Sequence, residues 1–519
     1  MDNTSEKGIS KVIAASSVGT MIEWYDFYIF GMLAKTISLQ FFPEGNATAA
    51  LLSTLAIFAA GFIVRPFGAL VFGRLGDLIG RKYTFMLTLV LMGGSTFLIG
   101  LVPSYKAIGI AAPLIVLLLR LVQGLALGGE YGGAATYVAE HAPPRKRGYY
   151  TSWIQTTATL GLFVALGVIM LVKLSMTDEQ FNAEWGGWRY PFWISIFLVG
   201  VSVYIRLKMK ESPMFSKLKT EGKTSVNPLK ESFRHKGNFK MVLLALFGAV
   251  MGQGVIWYTG QFYAQSFLEN TCKLAFNESR TIMLWAIAFA TPFFVFFGWL
   301  SDKVGRKWIM LIGMLLGVVF YRPIFKIFLN DTNVTSWVQD NSNLSIEEKL
   351  AGNSPYVLNG ADTTIRGVKN ETRYSYAGIK FSELRTDTVV ASLADGSGIQ
   401  IRKDNRPAYS NIVLSSSLKW KFIFLVWVMI IFVTMVYGPV AAFLVEIFPT
   451  KIRYTSMSLP YHIGNGVFGG LVPFIGLLLT TTYPSDPLVG LWYPIGIAAL
   501  CFVIGTIYLT NKIDEEVGD

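Results

Sequence analysis

Ionisable side chains interrupt several apolar stretches of the chain, where they could carry a proton or bind an ion. Glu23 and Asp26 lie in the first such stretch, and residues three apart share one face of a helix. A carboxylate in a low-dielectric site can be poised for protonation, so we interpret Asp26 as a proton-coupling group. The alternative is a structural network of fixed charges in which Glu23, Arg65 and Glu130 accompany it.

A basic side chain also lies inside an apolar stretch, at Arg120. Its guanidinium presents a planar fork that matches a carboxylate, so the residue type suits recognition of an anionic group. Two interpretations stay open, contact with a substrate and pairing with Asp26 or with a backbone carbonyl.

Uncharged polar side chains recur at helical spacing further along the chain. Gln253, Trp257 and Gln261 are four residues apart, and His462 and Asn465 are three apart, so each set occupies one face of a helix. Substrate binding and simple packing are equally compatible with the aromatic members, and a lone membrane histidine is a weaker proton carrier than Asp26. The proton-coupling candidates are Asp26, Glu23, Glu130 and His462. The substrate-binding candidates are Arg120, Tyr25, Gln155, Gln253, Trp257, Gln261 and Asn465.

Composition indicates that helices in a lipid bilayer must hold these side chains. The chain has 519 residues, of which 52% are hydrophobic and only 15% are charged, against about a quarter charged in soluble proteins. Apolar stretches at 84–103, 107–128 and 421–444 match the roughly 20 residues that a helix needs to cross a bilayer. We predict about twelve transmembrane helices.

The distribution of basic residues predicts an orientation. The net charge is +12, but the basic residues lie in short segments between apolar stretches, which argues against nucleic acid as a partner. With both termini in the cytosol, these segments all lie on the cytosolic side. The polar N-terminus resembles no removable signal peptide. Cys272 and Cys501 lie in different places, so we expect no disulfide, no metal site and no cofactor.

Two short motifs recur in the same order, which indicates an internal duplication. The pattern G-x-x-G-D-x-x-G-R-K at 73–82 returns as G-x-x-S-D-x-x-G-R-K at 298–307, and E-x-x-P-x-x-x-R at 140–147 returns at 446–453. The distance between the motifs is 81 residues longer in the second copy, because 446 − 307 is 139 and 140 − 82 is 58. The chain therefore consists of two homologous six-helix halves, the second with an insertion.

The motifs suit a conformational latch at one end of the helices. We pair Asp77 with Arg147 and, in the repeat, Asp302 with Arg453, since such contacts can form in one arrangement of the halves and break in the other. The alternative is ordinary topogenic charge with tight turns. The residues assigned to gating are Arg65, Gly73, Asp77, Arg81, Glu140, Arg147, Asp302, Arg306, Glu446 and Arg453.

The motifs resemble those of the major facilitator superfamily. Within it, E-W-Y-D-F at 23–27, R-P at 65–66, Q-G at 123–124, G-G-E at 128–130 and E-S-P at 211–213 resemble the metabolite:proton symporter family. That family includes porters for alpha-ketoglutarate, proline and betaine, citrate and shikimate. The resemblance implies two bundles that rock around a central site.

The predicted fold class is an all-α membrane protein with the major facilitator fold. It has twelve transmembrane helices in two six-helix pseudo-symmetric bundles and a small β-rich extracytoplasmic insert. The predicted domains are an N-terminal six-helix bundle at 1–208, a cytoplasmic linker at 209–239, the first three helices of the C-terminal bundle at 240–328, the insert at 329–418, and the last three helices at 419–519.

The insert is polar and lies outside the resemblance. Residues 398–402 alternate in the manner of a short strand, and D-G at 395–396 and N-R-P at 405–407 are turn signals. The insert could be a cap over an entrance, a module that binds a partner, or a loosely ordered loop.

The expected function is secondary active transport, by alternating access, with proton-coupled uptake of a small organic acid or zwitterion. The sequence has no phosphate-binding Gly-Lys-Ser/Thr loop, nucleophile elbow or metal cluster, so we expect no enzyme and no use of ATP. An uncoupled or sugar-type facilitator is the alternative, and a membrane sensor that uses the insert is another. The expected partners are a small-molecule substrate, protons and the lipid bilayer, for a monomer in the plasma membrane, or in the inner membrane of a two-membrane bacterium.

Overall fold

The structure is a computed structural model whose described residues cover most of the chain. They are 3–43, 46–79, 81–129, 135, 138–139, 142–143, 145–208, 236–340, 344–352, 358–360, 363–393, 398–399, 404–448 and 453–511. For some of these only the backbone is described, namely 3–16, 73–74, 76–79, 81–85, 205–206, 350–352, 358–360, 363–370, 385–393, 398–399, 404–406 and 453–455.

Helices form the first half of the chain up to Lys208. They are α1 (Asn3–Met32), α2 (Ala34–Phe41), α3 (Ala47–Ile63), α4 (Arg65–Ile79), α5 (Arg81–Ile99), α6 (Tyr105–Ile108), α7 (Ala111–Gly128), α8 (Arg147–Leu174), α9 (Asp178–Asn182) and α10 (Tyr190–Lys208). A 3₁₀ turn at Gly187–Arg189 precedes α10.

The second half is also helical but contains several π-helical turns. Its helices are α11 (Lys236–Ala245), α12 (Met251–Tyr258), α13 (Ala264–Asn270), α14 (Phe276–Val304), α15 (Arg306–Asp331), α16 (Val334–Gln339), α17 (Ser416–Tyr437), α18 (Val440–Ile447), α19 (Arg453–Tyr461), α20 (Val472–Thr482) and α21 (Trp492–Tyr508). The π-helical turns are Leu246–Val250, Thr259–Tyr263 and His462–Gly469, and a 3₁₀ turn lies at Val489–Leu491.

In the part of the chain that the structure describes, nine helical segments are long and apolar enough to cross a membrane by length and composition. Beside these nine, the first half contains the helices α1, α5 and α10. Helices suit this role because their backbone groups are all hydrogen-bonded within the segment, as a lipid environment requires.

The insertion in the second half contains a six-stranded antiparallel sheet. Its strands are β1 (Leu344–Gly352), β2 (Leu358–Gly360), β3 (Thr363–Tyr376), β4 (Ile379–Leu393), β5 (Gly398–Ile399) and β6 (Asp404–Val413). The order is β1-β3-β4-β5, with β2 also paired to β3 and β6 to β4. The small β-rich insert expected from the sequence is therefore present.

A tight hairpin sets the register at the centre of the sheet. Tyr376 pairs with Ile379, and the two residues between them, Ala377 and Gly378, have φ angles of 46° and 80°. Positive φ at both central positions is typical of the two-residue turns whose twist matches a hairpin.

The turn predicted at 405–407 is wrong, because these residues lie inside β6. Leu384 pairs with Ala408 and Thr386 with Asp404, with a register shift between the two pairs. Pro407 has no N–H to donate to a neighbouring strand, so an irregular stretch of ladder is where a strand tolerates it. Of the strand predicted at 398–402, Gly398–Ile399 forms β5, and the rest lies outside the described residues.

The chain divides into two compact units. The first comprises Met1–Tyr263, Leu284–Pro323 and Trp427–Asp519, and the second comprises Ala264–Met283 and Ile324–Val426. All the predicted site and gating residues belong to the first unit. The second contains the sheet together with the helix segments on either side of it.

The second unit has its own anchoring contacts. The backbone N–H of Ala275 donates to the Ile412 carbonyl at 2.8 Å, and the Ile412 N–H donates to the Lys273 carbonyl at 3.0 Å. The Glu278 carboxylate accepts the Leu414 N–H at 3.1 Å and pairs with Lys419 at 3.0 Å. The end of β6 is therefore fixed to the turn that precedes α14.

Candidate functional site

Residues 22–30 of the first helix are all buried, and one face of this segment points to the second half of the chain. Trp24 and Tyr28 stack on each other with ring centroids 5.0 Å apart. Both face Trp257 of α12, at centroid distances of 6.2 and 5.5 Å. A spacing of four residues places them on one stripe of α1, so this stripe lies where the two halves meet.

A different face of α1 carries two of the predicted residues. Asp26 is fully buried, and its Oδ2 would lie 3.2 Å from a Cβ added at Gly93 of α5. The Ser195 hydroxyl of α10 lies beside it, although neither carboxylate oxygen has a described partner of good hydrogen-bond geometry. The Tyr25 hydroxyl donates to the Pro191 carbonyl at 2.8 Å. Asp26 and Tyr25 therefore face helices of their own half, and Glu23 is also buried in α1.

Arg120 lies fully buried among backbone carbonyls and aromatic rings. Its Nη1 donates to Gln123 Oε1 at 2.8 Å and to the Phe27 carbonyl at 3.4 Å, and its Nη2 donates to the Phe58 carbonyl at 3.4 Å. Its guanidinium carbon lies 4.1 Å from the Phe27 ring centroid. Among the described residues, neither Arg120 nor Asp26 forms a salt bridge, so the two side chains do not pair here, whereas Arg120 contacts backbone carbonyls. Contact of Arg120 with a substrate stays a prediction.

A second buried guanidinium, that of Arg65, lies close to the face that meets the second half. Its carbon is 4.1 Å from the Phe62 ring, 4.3 Å from Phe27 and 5.4 Å from Trp24. Its Nε and Nη2 have no hydrogen-bond partner of good geometry among the described residues. Arg65, which the sequence assigned to gating, thus borders the aromatic rings of α1.

The second half contributes polar side chains from two neighbouring irregular helices. Gln253 of α12 donates to Asn465 Oδ1 at 3.4 Å. Gln261 and His462 are fully buried in the π-helical turns at Thr259–Tyr263 and His462–Gly469. Such turns insert one extra residue and are frequent at functional sites. With Trp257 of α12, five of the predicted residues thus come from α12 and the π-helical turns that interrupt these two spans.

Sequence reasoning missed several aromatic residues that lie around Trp257. The hydroxyls of Tyr437 and Tyr461, from different helices, are 2.8 Å apart and buried. We call the six rings that meet at the junction of the halves the central aromatic cluster. Its members are Trp24, Tyr28, Trp257, Tyr258, Phe262 and Tyr437. No sequence spacing connects members on different helices, so no periodicity could have found them together.

Several buried polar atoms in or beside this cluster have no described partner. Among the described residues they include the Tyr28 hydroxyl, Trp257 Nε1, both amide atoms of Gln261 and both ring nitrogens of His462. Most buried polar groups in proteins have a hydrogen-bond partner, so these atoms have the chemistry of a binding site for a polar solute. Gln155 of α8 is fully buried as well.

A carboxylate from the second repeat binds the beginning of a helix in the first half. Asp302 accepts the Gly148 N–H on Oδ1 and the Tyr149 N–H on Oδ2, both at 2.8 Å. The N–H groups at a helix start have no partner within the helix, and the helix dipole favours an anion there. Asp302 thus caps α8, which begins at Arg147. We call this contact the Asp302 gate, after the gating role that the sequence predicts for Asp302.

Arg306 joins the second motif of the repeat to this gate. It pairs with Asp302 at 2.7 Å and with Glu446 at 2.9 Å, and it donates to the Ser301 hydroxyl at 2.8 Å. A guanidinium with several acceptors in fixed positions makes strong, directional contacts. Asp302, Arg306 and Glu446, all assigned to gating, therefore lie in one network.

Two glycines let the helices of the two halves approach closely at the gate. A Cβ added at Gly148 would overlap the Gly298 carbonyl, and one added at Gly298 would lie 2.7 Å from the Gly148 carbonyl. Only a residue without a side chain fits such a backbone contact.

The remaining gating residues of the first repeat are less completely described. Arg147 is the first residue of α8, and its Nε and Nη1 have no partner among the described residues. Gly73 and Asp77 belong to α4, Arg81 to α5 and Arg453 to α19, and their side chains lie outside the described part. Glu130 and Glu140 lie outside the described residues altogether, so the pairs Asp77–Arg147 and Asp302–Arg453 stay predictions.

Comparison with known proteins identifies related transporters. Residues 11–346 match the family described as Sugar (and other) transporter. The inner membrane metabolite transport protein YhjE of Escherichia coli strain K12 is 32% identical over 479 residues, which cover 91% of this chain and 88% of that protein. The alpha-ketoglutarate permease of the same strain is 36% identical over 63% of this chain and 73% of its own length. The proline/betaine transporter of Salmonella typhimurium strain LT2 is 34% identical over 61% and 64%, respectively.

Solved structures share the fold. The xylose transporter XylE from E. coli, in a partially occluded inward open conformation, aligns with a TM-score of 0.63 over 97% of this chain and 98% of that chain at 15% identity. The same major facilitator superfamily proton:xylose symporter bound to 6-bromo-6-deoxy-D-glucose aligns with a TM-score of 0.59 over 98% of this chain and 97% of that chain at 15% identity. At this identity the likeness shows the fold alone, and it confirms the predicted fold class.

Proposed function

Because the chain belongs to the sugar (and other) transporter family of the major facilitator superfamily, we propose that it couples uptake of a small polar metabolite to the entry of protons. The metabolite class is an organic acid or a zwitterion. Relatives named for alpha-ketoglutarate and for proline and betaine support this range.

The central aromatic cluster is the observation that carries the proposal. Its rings come from both halves of the chain, and the polar atoms beside it include the Tyr28 hydroxyl, Trp257 Nε1 and the Gln261 amide, all without partners in the described part. A solute bound between two halves can be exposed to either side in turn as the halves rock. Aromatic rings suit an ammonium group, and the Arg65 guanidinium beside them suits a carboxylate.

Asp26 is the proposed proton carrier. It is fully buried in the interior of the first half, and among the described residues no basic group pairs with it. A buried carboxylate without a cation is costly in its charged form, so protonation relieves that cost. Its position against α5 and α10 lets it act on the packing of the first half, while the solute binds where the halves meet.

The Asp302 gate supplies the alternating element. With the gate formed, Asp302 and Arg306 tie α8 to the second repeat, and the backbones at Gly148 and Gly298 are in contact. Breaking these contacts opens that end of the central site. We place this end and both termini in the cytosol, in the inner membrane of a two-membrane bacterium or the plasma membrane otherwise, with the chain working as a monomer.

Purified protein in proteoliposomes tests the coupling. With an imposed pH gradient, acid outside, we expect radiolabelled alpha-ketoglutarate, proline or betaine to accumulate above its external concentration and to acidify the lumen. Equilibration without accumulation would instead indicate a facilitator. Binding of these solutes without flux would indicate a sensor.

Two variants separate the proposed roles. Asp26→Asn should retain exchange of labelled for unlabelled solute but lose accumulation, and unchanged accumulation would remove Asp26 from coupling. Arg120→Lys should reduce uptake of carboxylate solutes by about tenfold or more, because an ammonium cannot reproduce the guanidinium fork. An unchanged apparent affinity would exclude Arg120 from solute recognition.

A further inference from the structure

The turn that carries the gate is held by the end of the last helix. Helix α14 ends at Val304, Gly305 adopts a φ of +93°, and α15 begins at Arg306. This short turn places Asp302 and Arg306 one helical turn apart across the break. Its geometry therefore decides whether both side chains reach their partners in the gate.

Asn511, three residues beyond the end of α21, contacts this turn directly. Its Nδ2 donates to the Val304 carbonyl at 3.2 Å, which satisfies one of the carbonyls left free at the end of α14. Its amide also packs over Gly305, because an added Cβ there would overlap the Asn511 side chain. Gly305 is therefore required both by its φ angle and by Asn511.

Lys307 makes the second connection, on the other side of the turn. Lys307 is only 8% exposed, and its ammonium donates to the Thr506 carbonyl in the last turn of α21 at 2.8 Å. Cations are favourable at a helix C-terminus, where carbonyls lack partners and the dipole is negative. The contact thus fixes the first turn of α15 against the final helix.

We propose that Asn511 and Lys307 are positioning residues for the Asp302 gate, so that the C-terminal segment controls how often this end of the transporter opens. The inference rests on the proposed gating role of Asp302. Asn511 is exposed, so its side chain buries little surface. We therefore expect its hydrogen bond to Val304 to act by fixing the position of the turn. The described contacts of Asn511 and Lys307 are with Val304, Gly305, Thr506 and Trp308, none of which belongs to the central aromatic cluster, so solute affinity should not depend on them directly.

The opening of the gate can be measured on purified protein in detergent. Ser152 is fully buried beside Gly298, so a Ser152→Cys reporter reacts with N-ethylmaleimide only when this end opens. The native thiols, Cys272 and Cys501, are buried. Labelling of the protein without the Ser152→Cys substitution gives their background rate. We expect Asn511→Ala to raise the labelling rate about fivefold, the size expected for one lost hydrogen bond.

Matched variants distinguish positioning from general loosening. Thr510→Ala, at the exposed neighbouring position, should leave the rate unchanged, and Lys307→Met should raise it as Asn511→Ala does. In an Asp302→Asn background, Asn511→Ala should add nothing, because the gate is already broken. Wild-type labelling of Asn511→Ala, or an equal rise in the Asp302→Asn background, would overturn the proposal. A failure of pH-driven uptake would instead concern the proposed function alone, since labelling requires no transport.

Discussion

At the scale of single residues, the guanidinium of Arg306 joins three acceptors that come from two parts of the second half. Its partners, Asp302, Glu446 and Ser301, lie at distances of 2.7 to 2.9 Å. The fork geometry of arginine allows all three contacts at once, whereas the ammonium of lysine is a point charge on a flexible stem. The contact is also buried, so water does not replace a lost partner.

We therefore expect Arg306→Lys to lower the unfolding temperature and to destabilise the protein by about 2 kcal/mol, within the range for breaking a buried ionic network. Thermal unfolding in detergent, followed by intrinsic fluorescence, measures the change. The control is Arg373→Lys, because Arg373 and Glu348 form an exposed pair with each side chain about half accessible, and such pairs contribute little. Equal destabilisation by both variants would contradict this assignment.

A second expectation at this scale concerns pH and a loop outside the membrane spans. Glu184 accepts both the Ser104 hydroxyl at 2.6 Å and the Ser104 N–H at 3.3 Å. These hydrogen bonds favour the charged carboxylate and lower the pKa of Glu184. A lowered pKa in the folded state adds stability above the unfolded pKa, near 4.3, and that stability is lost as the pH falls through the folded value.

Accordingly, wild type should unfold at a higher temperature than Glu184→Gln at pH 7, and the gap should narrow as the pH falls below about 4. The Ser104→Ala variant is the control, since it removes the hydroxyl donor. In that background, Glu184→Gln should lower the unfolding temperature at pH 7 by less. A difference that persists unchanged to low pH would show that the Ser104 contact does not act through the charge.

The residue types of the site could be predicted, but their directions could not. Glu23, Asp26 and Arg120 stand out because charges are rare in apolar helices. However, every side chain of α1 from Ile22 to Phe30 is buried, so the helix has no polar stripe to indicate which face meets the other half. The spacing of three between Glu23 and Asp26 consequently says nothing about Trp24 and Tyr28, which are the residues at the junction.

At the scale of elements, the contact between α8 and α14 depends on glycine. Gly298→Ala would place a methyl group in overlap with the Ser152 Cβ and 2.7 Å from the Gly148 carbonyl, so one of the helices must shift. We expect this variant to open the Asp302 gate, to raise labelling of Ser152→Cys and to slow uptake severalfold.

The matched control is Gly200→Ala in α10, where an added Cβ meets nothing within 4 Å. Alanine also has a better helix propensity than glycine by about 1 kcal/mol. The control should therefore be neutral or slightly stabilising. If Gly298→Ala labels and transports like this control, the close approach of the two helices is not what holds the gate shut.

Composition predicted that helices would form, but it predicted neither their π-helical turns nor the contacts of the Asp302 gate. Apolar length predicts a span because a bilayer core demands it, but the π-helical turns around Gln261 and His462 leave no residue-type signal. Likewise, the partners of Asp302 at Gly148 and Tyr149 are backbone N–H groups. Every residue except proline carries such a group, so side-chain charge could not predict these partners, and the pairing of Asp302 with Arg453 stays a prediction.

At the scale of the whole molecule, the site and the sheet belong to different compact units. All predicted site residues lie in the first unit, and the second contains the sheet. Within the second unit Lys421 pairs with Asp331 at 2.6 Å, so the two ends of the insertion come close together. A short linker can therefore replace it.

We expect a variant with 334–415 replaced by a glycine-serine linker to bind solute with an affinity within about twofold of wild type, since the predicted site residues and the sheet belong to different compact units. Its unfolding temperature should fall, because Glu278 loses the Leu414 N–H. Thermal shift with and without solute measures both quantities. Loss of binding in a folded variant would indicate that the sheet takes part in solute binding, and it would favour the interpretation of the insert as a cap over an entrance.

The duplication explains why the overall fold was the most predictable level. Two motifs repeated in order define two halves without any contact being known, and the resemblance of these motifs to the major facilitator superfamily implies the fold. The insertion has no counterpart in the first half, so its strands rested on local alternation alone. This local signal failed at Pro407, where a break in register accommodates a residue that usually ends a strand.

The arrangement around Asp302 has a consequence for the manner in which the molecule changes state. One carboxylate holds two amides of α8 and one guanidinium, and that guanidinium holds Glu446 in turn. Separating the helices leaves all of these groups without partners at once. A half-open form therefore loses the whole set of contacts and forms no new ones. Intermediates should be scarcely populated, and single-molecule distance traces across this end should show abrupt two-level jumps instead of a gradual drift.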